Sequence, residues 1–184
     1  MIFKVLVVGV GNMGSSHARA YHKINDFKLV GLVSRTPNKR NKLAIELGDV
    51  PQFDNFDTAL KQTDPDIVSI NSYTETHKEF AIKSLNNGSH IFIEKPLAEN
   101  IKDAKEIIDL AISKNKKIVV GYILRHHPTW KKFINLSQGL GSPLVMRMNL
   151  NQQSSEEQWE IHKNLMMSTS PIVDCGVHYV DIMC

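Results

Sequence analysis

The feature that most limits how this chain folds is the regular exchange of two hydrophobic periods over its first 120 residues. Short runs rich in β-branched residues predict strands at FKVLVVGV (3 to 10), FKLVGLVS (27 to 34), DIVSINS (66 to 72), HIFIE (90 to 94) and KIVVGY (117 to 122). Segments of helical period lie between them, near 13 to 24, 38 to 47, 55 to 62, 75 to 87 and 100 to 114. A helix between two strands lets the chain return and pair in parallel. Several strands are apolar at successive positions, as in a sheet covered on both faces. The last helix has Asn100 as its predicted N-cap and carries Ile101, Ala104, Ile107, Ile108 and Ala111 on one stripe. The predicted fold class is α/β, a doubly wound parallel sheet.

After Tyr122 the rhythm changes. A helix near 127 to 138 is stopped by Gly139 and Gly141, and SPLVMRMNLNQQ (142 to 153) reads as one long strand with partial alternation. A last helical segment, IVDCGVHYVDIMC, is still apolar where the sequence ends. A lone strand has no ladder partner of its own, so the expectation is a chain cut short. Its first domain would cover 1–122, and 123–184 would begin a second α/β (α+β) domain, incomplete here.

Directly after the first strand comes GVGNMG, in which Gly9, Gly11 and Gly14 match the pattern GxGxxG around Asn12 and Met13. The first glycine permits a tight turn, the second lets backbone amides approach a pyrophosphate, and the third lets helix and strand pack closely. Alone the pattern is weak. Placed between a first strand and a helix, it predicts dinucleotide binding, with the helix amides facing the phosphates. An acid closing the second strand would bond the ribose hydroxyls of NAD, but the chain reads Ser34, Arg35, Thr36 with Lys39 and Arg40 nearby. A hydroxyl and cations suit a 2′-phosphate, so NADP is favoured. NAD stays open, since Arg35 also suits stacking on adenine and Lys39 and Arg40 suit a solvated helix face.

Composition narrows the remaining classes. Apolar residues make up 42% and charged residues 22%, the balance of a chain able to bury a core. The net charge of +3 comes from scattered lysines and arginines interrupted by acids, which argues against a nucleic-acid partner. No apolar run approaches the roughly 18 residues that span a bilayer, and the N-terminus enters a strand without a cleavage pattern, so the expectation is a cytoplasmic protein without a membrane partner. If one helix carries both Cys175 and Cys184, their Cα atoms are about 13 Å apart, too far for a disulfide. His126 and His127 lack a third ligand at suitable spacing, and no metal site is predicted.

Together, GVGNMG, FIEKPLAEN (92 to 100) and DCGVHYVD (174 to 181) resemble the Gfo/Idh/MocA oxidoreductase family. The resemblance implies an NAD(P)-dependent enzyme acting on a sugar, polyol or related compound. It implies a Rossmann-type first domain, and a second domain whose sheet mediates homo-oligomerisation of the full-length protein. On spacing alone, Glu94-Lys95-Pro96 reads as a polar exit from a strand. The resemblance assigns Lys95 to catalysis at the carboxyl edge of the sheet, both Glu94 and Lys95 to contact with the cofactor, and a cis bond to Pro96. Asp174 and His178, four apart on a helix, stand on one face about 5 to 6 Å apart at Cβ. The family pattern makes His178 the proton carrier, with Asp174 orienting it or binding substrate hydroxyls. Arg125 resembles a residue near the nicotinamide or substrate, and Asp181 reads as structural. Ser72 stands where the family often has threonine-proline-asparagine and is a candidate cofactor contact, while His77 reads as a capping or solvent-facing residue. A competing expectation is a dinucleotide-binding protein without turnover, either a sensor or a truncated form.

Overall fold

The computed structural model describes residues 1–149, 155, 159–160, 163, 166–167, 170 and 172–184. They divide into two compact units, Met1–Gly121 and Tyr122–Cys184.

In the first unit six parallel strands form one sheet: β1 (Phe3–Val8), β2 (Phe27–Val33), β3 (Gln52–Phe53), β4 (Ile67–Ile70), β5 (His90–Ile93) and β6 (Ile118–Val120). Their spatial order is β3-β2-β1-β4-β5-β6. The connections are helical: α1 (Asn12–Lys23), α2 (Pro37–Glu46), α3 (Phe56–Thr63), α4 (His77–Asn86) and α5 (Ile101–Ser113). Order reverses between β1 and β4, which opens a crevice at their carboxyl ends, where open α/β sheets place ligands.

The unbroken apolar run of β1 has a direct cause. Val5 and Val7 pack into one core with Ala18, Leu43 and Ala44 of α1 and α2. Leu6 and Val8 pack into another with Ala59, Leu60, Leu85, Ile107 and Ala111 of α3, α4 and α5. Side chains alternate across a strand, so a strand covered on both faces must be apolar at every position. The doubly wound reading of the sequence therefore holds.

Helix starts follow the expected chemistry. Asn100 Oδ1 accepts from Asp103 N–H at 2.9 Å, and Asn55 caps α3 in the same way through Thr58 N–H at 2.9 Å. Three details differ from the sequence reading. β3 has only two residues and carries no periodic signal, so it was not predicted. The expected helix at 75 opens as a 3₁₀ turn, Thr74–Thr76, and becomes α-helical at His77. The α5 stripe buries Ile107 and Ala111 only, leaving Ile101 and Ile108 exposed.

In the second unit, a 3₁₀ turn (Ile123–Arg125) leads to α6 (Pro128–Ser137), and Ile172–Gly176 forms a π-helical turn that continues into α7 (Val177–Met183). The long strand expected at 142–153 is not formed over 142–149, where the backbone is irregular; 150–153 lie outside the described residues. A strand needs a partner for its ladder, and none stands beside this segment among the described residues. Neither Cys175 nor Cys184 is in a disulfide.

Candidate functional site

The turn after β1 is built so tightly that two of its three glycines are compulsory. Gly9 has φ +85°, and a Cβ there would lie 2.5 Å from the carbonyl oxygen of Asn71, which follows β4. A Cβ on Gly14 would lie 1.9 Å from Gly9 O, so α1 starts pressed against the turn. Gly11 is different. Its φ is −67°, open to any residue, and its Cβ would meet nothing within 4 Å.

Neither backbone nor packing calls for glycine at 11, and the space beside it is open. The first turn of α1 contains no acid, and Gly11, its N-cap, makes no side-chain cap. Its leading N–H groups are thus available to an anion. Asn12 and Met13 are exposed beside them. This cradle fits a dinucleotide pyrophosphate.

At the end of β2, Ser34 Oγ accepts from Thr36 N–H at 3.1 Å, while Arg35 and Lys39 are exposed. Arg40 is not a free cation of the helix face. Its guanidinium donates to the carbonyls of Ser34 and, at 3.0 Å, of Phe53, tying β2 to β3. Of the three cations, Arg35 and Lys39 remain on the surface.

Glu94 leaves β5 buried, and Lys95 and cis Pro96 follow at the carboxyl edge. Glu94 Oε1 lies 2.8 Å from His17 Nε2 of α1, and Glu94 Oε2 accepts from Lys95 N–H at 3.3 Å. Burial pushes the Glu94 carboxyl up, but the His17 hydrogen bond and charge, helped by Lys95, hold it below the usual carboxylate range.

His77 lies only 1% exposed, contrary to the expected capping or solvent-facing role. Its Nδ1 is 2.8 Å from Pro96 O and its Nε2 3.1 Å from Ser72 O. Carbonyls only accept and a neutral imidazole carries one N–H, so the ring donates to one of these two carbonyls. Ser72 Oγ pairs with Thr76 Oγ1 at 2.7 Å.

In the second unit, His178 lies in α7, with its ring edge-on to Tyr122 at 6.3 Å between centroids. Arg125 grips Asp181 with two hydrogen bonds, 2.7 Å from Nε and 2.6 Å from Nη2. Asp181 and Arg125 are thus paired with each other. The Asp174 side chain lies outside the described structure. Its backbone sits in the π turn, so the plain α-helical spacing assumed between Asp174 and His178 does not apply. Among the described residues no three His, Cys, Asp or Glu side chains are placed to hold a metal ion.

A sequence model described as an oxidoreductase family with an NAD-binding Rossmann fold, Gfo/Idh/MocA, matches residues 3–122. The chain belongs to the Gfo/Idh/MocA family. An inositol 2-dehydrogenase of Salmonella typhimurium is 24% identical over the whole chain, which covers 54% of that protein. A D-glucoside 3-dehydrogenase of Escherichia coli is 27% identical over 97% of the chain and 52% of its own length. The chain therefore spans about half the length of these curated relatives. The solved scyllo-inositol dehydrogenase of Lactobacillus casei, with bound NAD(H) and scyllo-inositol, matches with a TM-score of 0.81 at 22% identity. That match covers 100% of this chain and 55% of the other.

Within this Gfo/Idh/MocA chain, the sequence reading found the glycine turn and the Glu94-Lys95-Pro96 element but missed His17, and misread His77. Their one available signal was position. His17 falls on the inward face of α1 one turn after Gly14, and His77 opens α4 beside the carboxyl edge.

Proposed function

We propose that the protein is an NAD(P)-dependent oxidoreductase acting at a hydroxyl- or carbonyl-bearing carbon of a sugar, polyol or related compound. The observation that carries this reading is Gly11, a glycine that the protein's own packing does not require, at the bare amino end of α1. Family membership directs it toward oxidoreduction.

In this reading residues 1–122 hold the dinucleotide and 123–184 begin the substrate domain. The amides around Gly9, Gly11, Asn12, Met13 and Gly14 bind the pyrophosphate. Ser34 and Arg35 take the ribose end, and the absence of an acid at that strand end favours NADP over NAD. Ser72 and Glu94 border the nicotinamide side. When bound, the nicotinamide supplies the hydride acceptor or donor. The Lys95 ammonium hydrogen-bonds the substrate oxygen and stabilises negative charge there. His178 takes the hydroxyl proton in oxidation or returns it in reduction, and Asp174 orients that imidazole. The substrates after which the relatives are named, inositol and D-glucosides, set the class to try first. In this reading the full-length protein is a homo-oligomer, and two thiols outside any disulfide suit the cytoplasm.

The test is fluorescence titration of NADPH and NADH, followed by nicotinamide absorbance with a panel of inositols, glucosides and sugar phosphates. Saturable binding with turnover supports the reading. Binding without any absorbance change would favour a dinucleotide binder instead, and no binding overturns both.

A further inference from the structure

Lys95 is bracketed by two imidazoles from different helices. On one side, Glu94 is held by His17 of α1 at 2.8 Å, with Gly121 directly behind: a Cβ on Gly121 would lie 3.1 Å from Glu94 Oε2. On the other side, the Pro96 carbonyl is held by His77 of α4 at 2.8 Å. The same His77 reaches the Ser72 carbonyl at 3.1 Å, joining the segment after β4 to the turn after β5. The adjoining backbone is itself anchored, with Glu94 N–H donating to Ile70 O at 2.9 Å and Gly121 N–H to Ile93 O at 2.8 Å.

A core histidine that merely fills space needs one partner for its N–H and leaves the rest apolar. Here each histidine places one ring nitrogen on a residue adjoining the same lysine, His17 on Glu94 before it and His77 on Pro96 after it. A lysine has four rotatable side-chain bonds, so the precision of its ammonium depends on a fixed backbone at its root. His17 also lies in the helix whose amino end faces the glycine turn, so the cofactor cradle and the root of Lys95 share one rigid element.

We propose that His17 and His77 are positioning residues that fix the backbone of Lys95 from both flanks, through the Glu94 carboxylate and the Pro96 carbonyl. The inference rests on the assignment of Lys95 to the substrate oxygen given above.

Amide hydrogen exchange in the 184-residue chain tests it, read as the ratio of the Glu94 and Lys95 rates to that of Ile93 inside β5. His17→Phe and His77→Phe should each raise the ratio roughly tenfold, the size of one lost hydrogen bond. His17→Gln and His77→Gln, which keep a donor, should restore most of the protection. A purely structural role would speed all three amides together and leave the ratio unchanged, which overturns the proposal. His17→Phe decides alone if His77→Phe does not fold, since His17 already packs against Phe92 at 4.6 Å between ring centroids. The readout requires no cofactor. If wild-type protein fails to bind NADPH or NADH, the functional reading fails while the bracketing is still judged by exchange.

Discussion

His17 Nε2 lies 2.8 Å from Glu94 Oε1, so helix α1 is fastened through its second turn to the strand end that carries Lys95. Burial alone would make the Glu94 carboxyl harder to ionise, yet the His17 and Lys95 interactions outweigh it and the group titrates below the usual range. The folded state therefore binds the Glu94 proton less readily than the unfolded chain, whose glutamates titrate near about pH 4.3. The stabilisation is complete above that value and is lost as pH falls through the lower folded value. Glu94→Gln should cost roughly 1–3 kcal/mol near neutrality, the range for an interaction of a buried charged group. The gap from wild type should shrink in acid. Urea unfolding of both proteins across that range checks this, and a gap that stays constant with pH would refute it.

Gly11 and Gly14 separate ligand binding from folding. A methyl at 14 would lie 1.9 Å from a backbone oxygen, so Gly14→Ala should destabilise by several kcal/mol, of the order of 4 or more, or leave no folded protein. A methyl at 11 meets open space, so Gly11→Ala should unfold within about 0.5 kcal/mol of wild type. Its dinucleotide affinity should nevertheless fall by about tenfold or more, because the methyl occupies space that the pyrophosphate needs. Thermal unfolding and NADPH titration on the same samples check both statements. Equal affinity for Gly11→Ala and wild type would remove the main support for a cofactor cradle.

The sequence made the sheet legible because β1, β2, β4 and β5 are apolar at successive positions, a pattern only two-sided burial demands. β3 escaped because two residues, Gln52 and Phe53, are too few to display a period. The glycine turn was legible as a motif, but not the difference between its members: the clash at Gly14 and the open space at Gly11 exist only once β1, β4 and α1 are packed together. His77 was misread for a related reason. Its two partners, Ser72 and Pro96, stand 5 and 19 positions away, and only the parallel pairing of β4 with β5 makes the segments that follow them neighbours. Arg40 looked like a helix-face charge because its carbonyl partners belong to backbone, which carries no residue-specific signal.

Lys95 should be dispensable for folding and for the dinucleotide, yet indispensable for turnover. The residue is half-buried at the edge of the sheet, and the dinucleotide phosphates are assigned to α1. Lys95→Met keeps the length of the side chain and deletes its charge. With an active substrate, kcat should drop roughly 10²- to 10³-fold, as for removal of one oxyanion-stabilising donor. NADPH affinity should stay within about threefold, a change of under 1 kcal/mol. Rapid-mixing kinetics with fluorescence titration separate the two quantities, and a parallel loss of binding and turnover would assign Lys95 to the cofactor instead.

The end of β2 should set which dinucleotide binds. Ser34 is half-buried with Arg35 and Lys39 exposed beyond it, while Arg40 is occupied by the carbonyls of Ser34 and Phe53. Arg35 is therefore the cation to remove, and Arg40 is the one to leave alone. Arg35→Ala should weaken NADPH by about tenfold or more and leave NADH nearly unchanged, because only the former carries a 2′-phosphate for a charge-assisted bond. Ser34→Asp should go further, repelling that phosphate and offering a carboxylate to the free ribose hydroxyl, so that the NADPH-to-NADH affinity ratio inverts. Arg40→Ala should instead lower stability by roughly 1–2 kcal/mol, through carbonyls left with fewer donors, and change both affinities in step. Parallel titrations of the three variants with each reduced dinucleotide check the assignment. A wild-type preference for NADH that survives Arg35→Ala would move the 2′-phosphate contact elsewhere and make NAD the working cofactor.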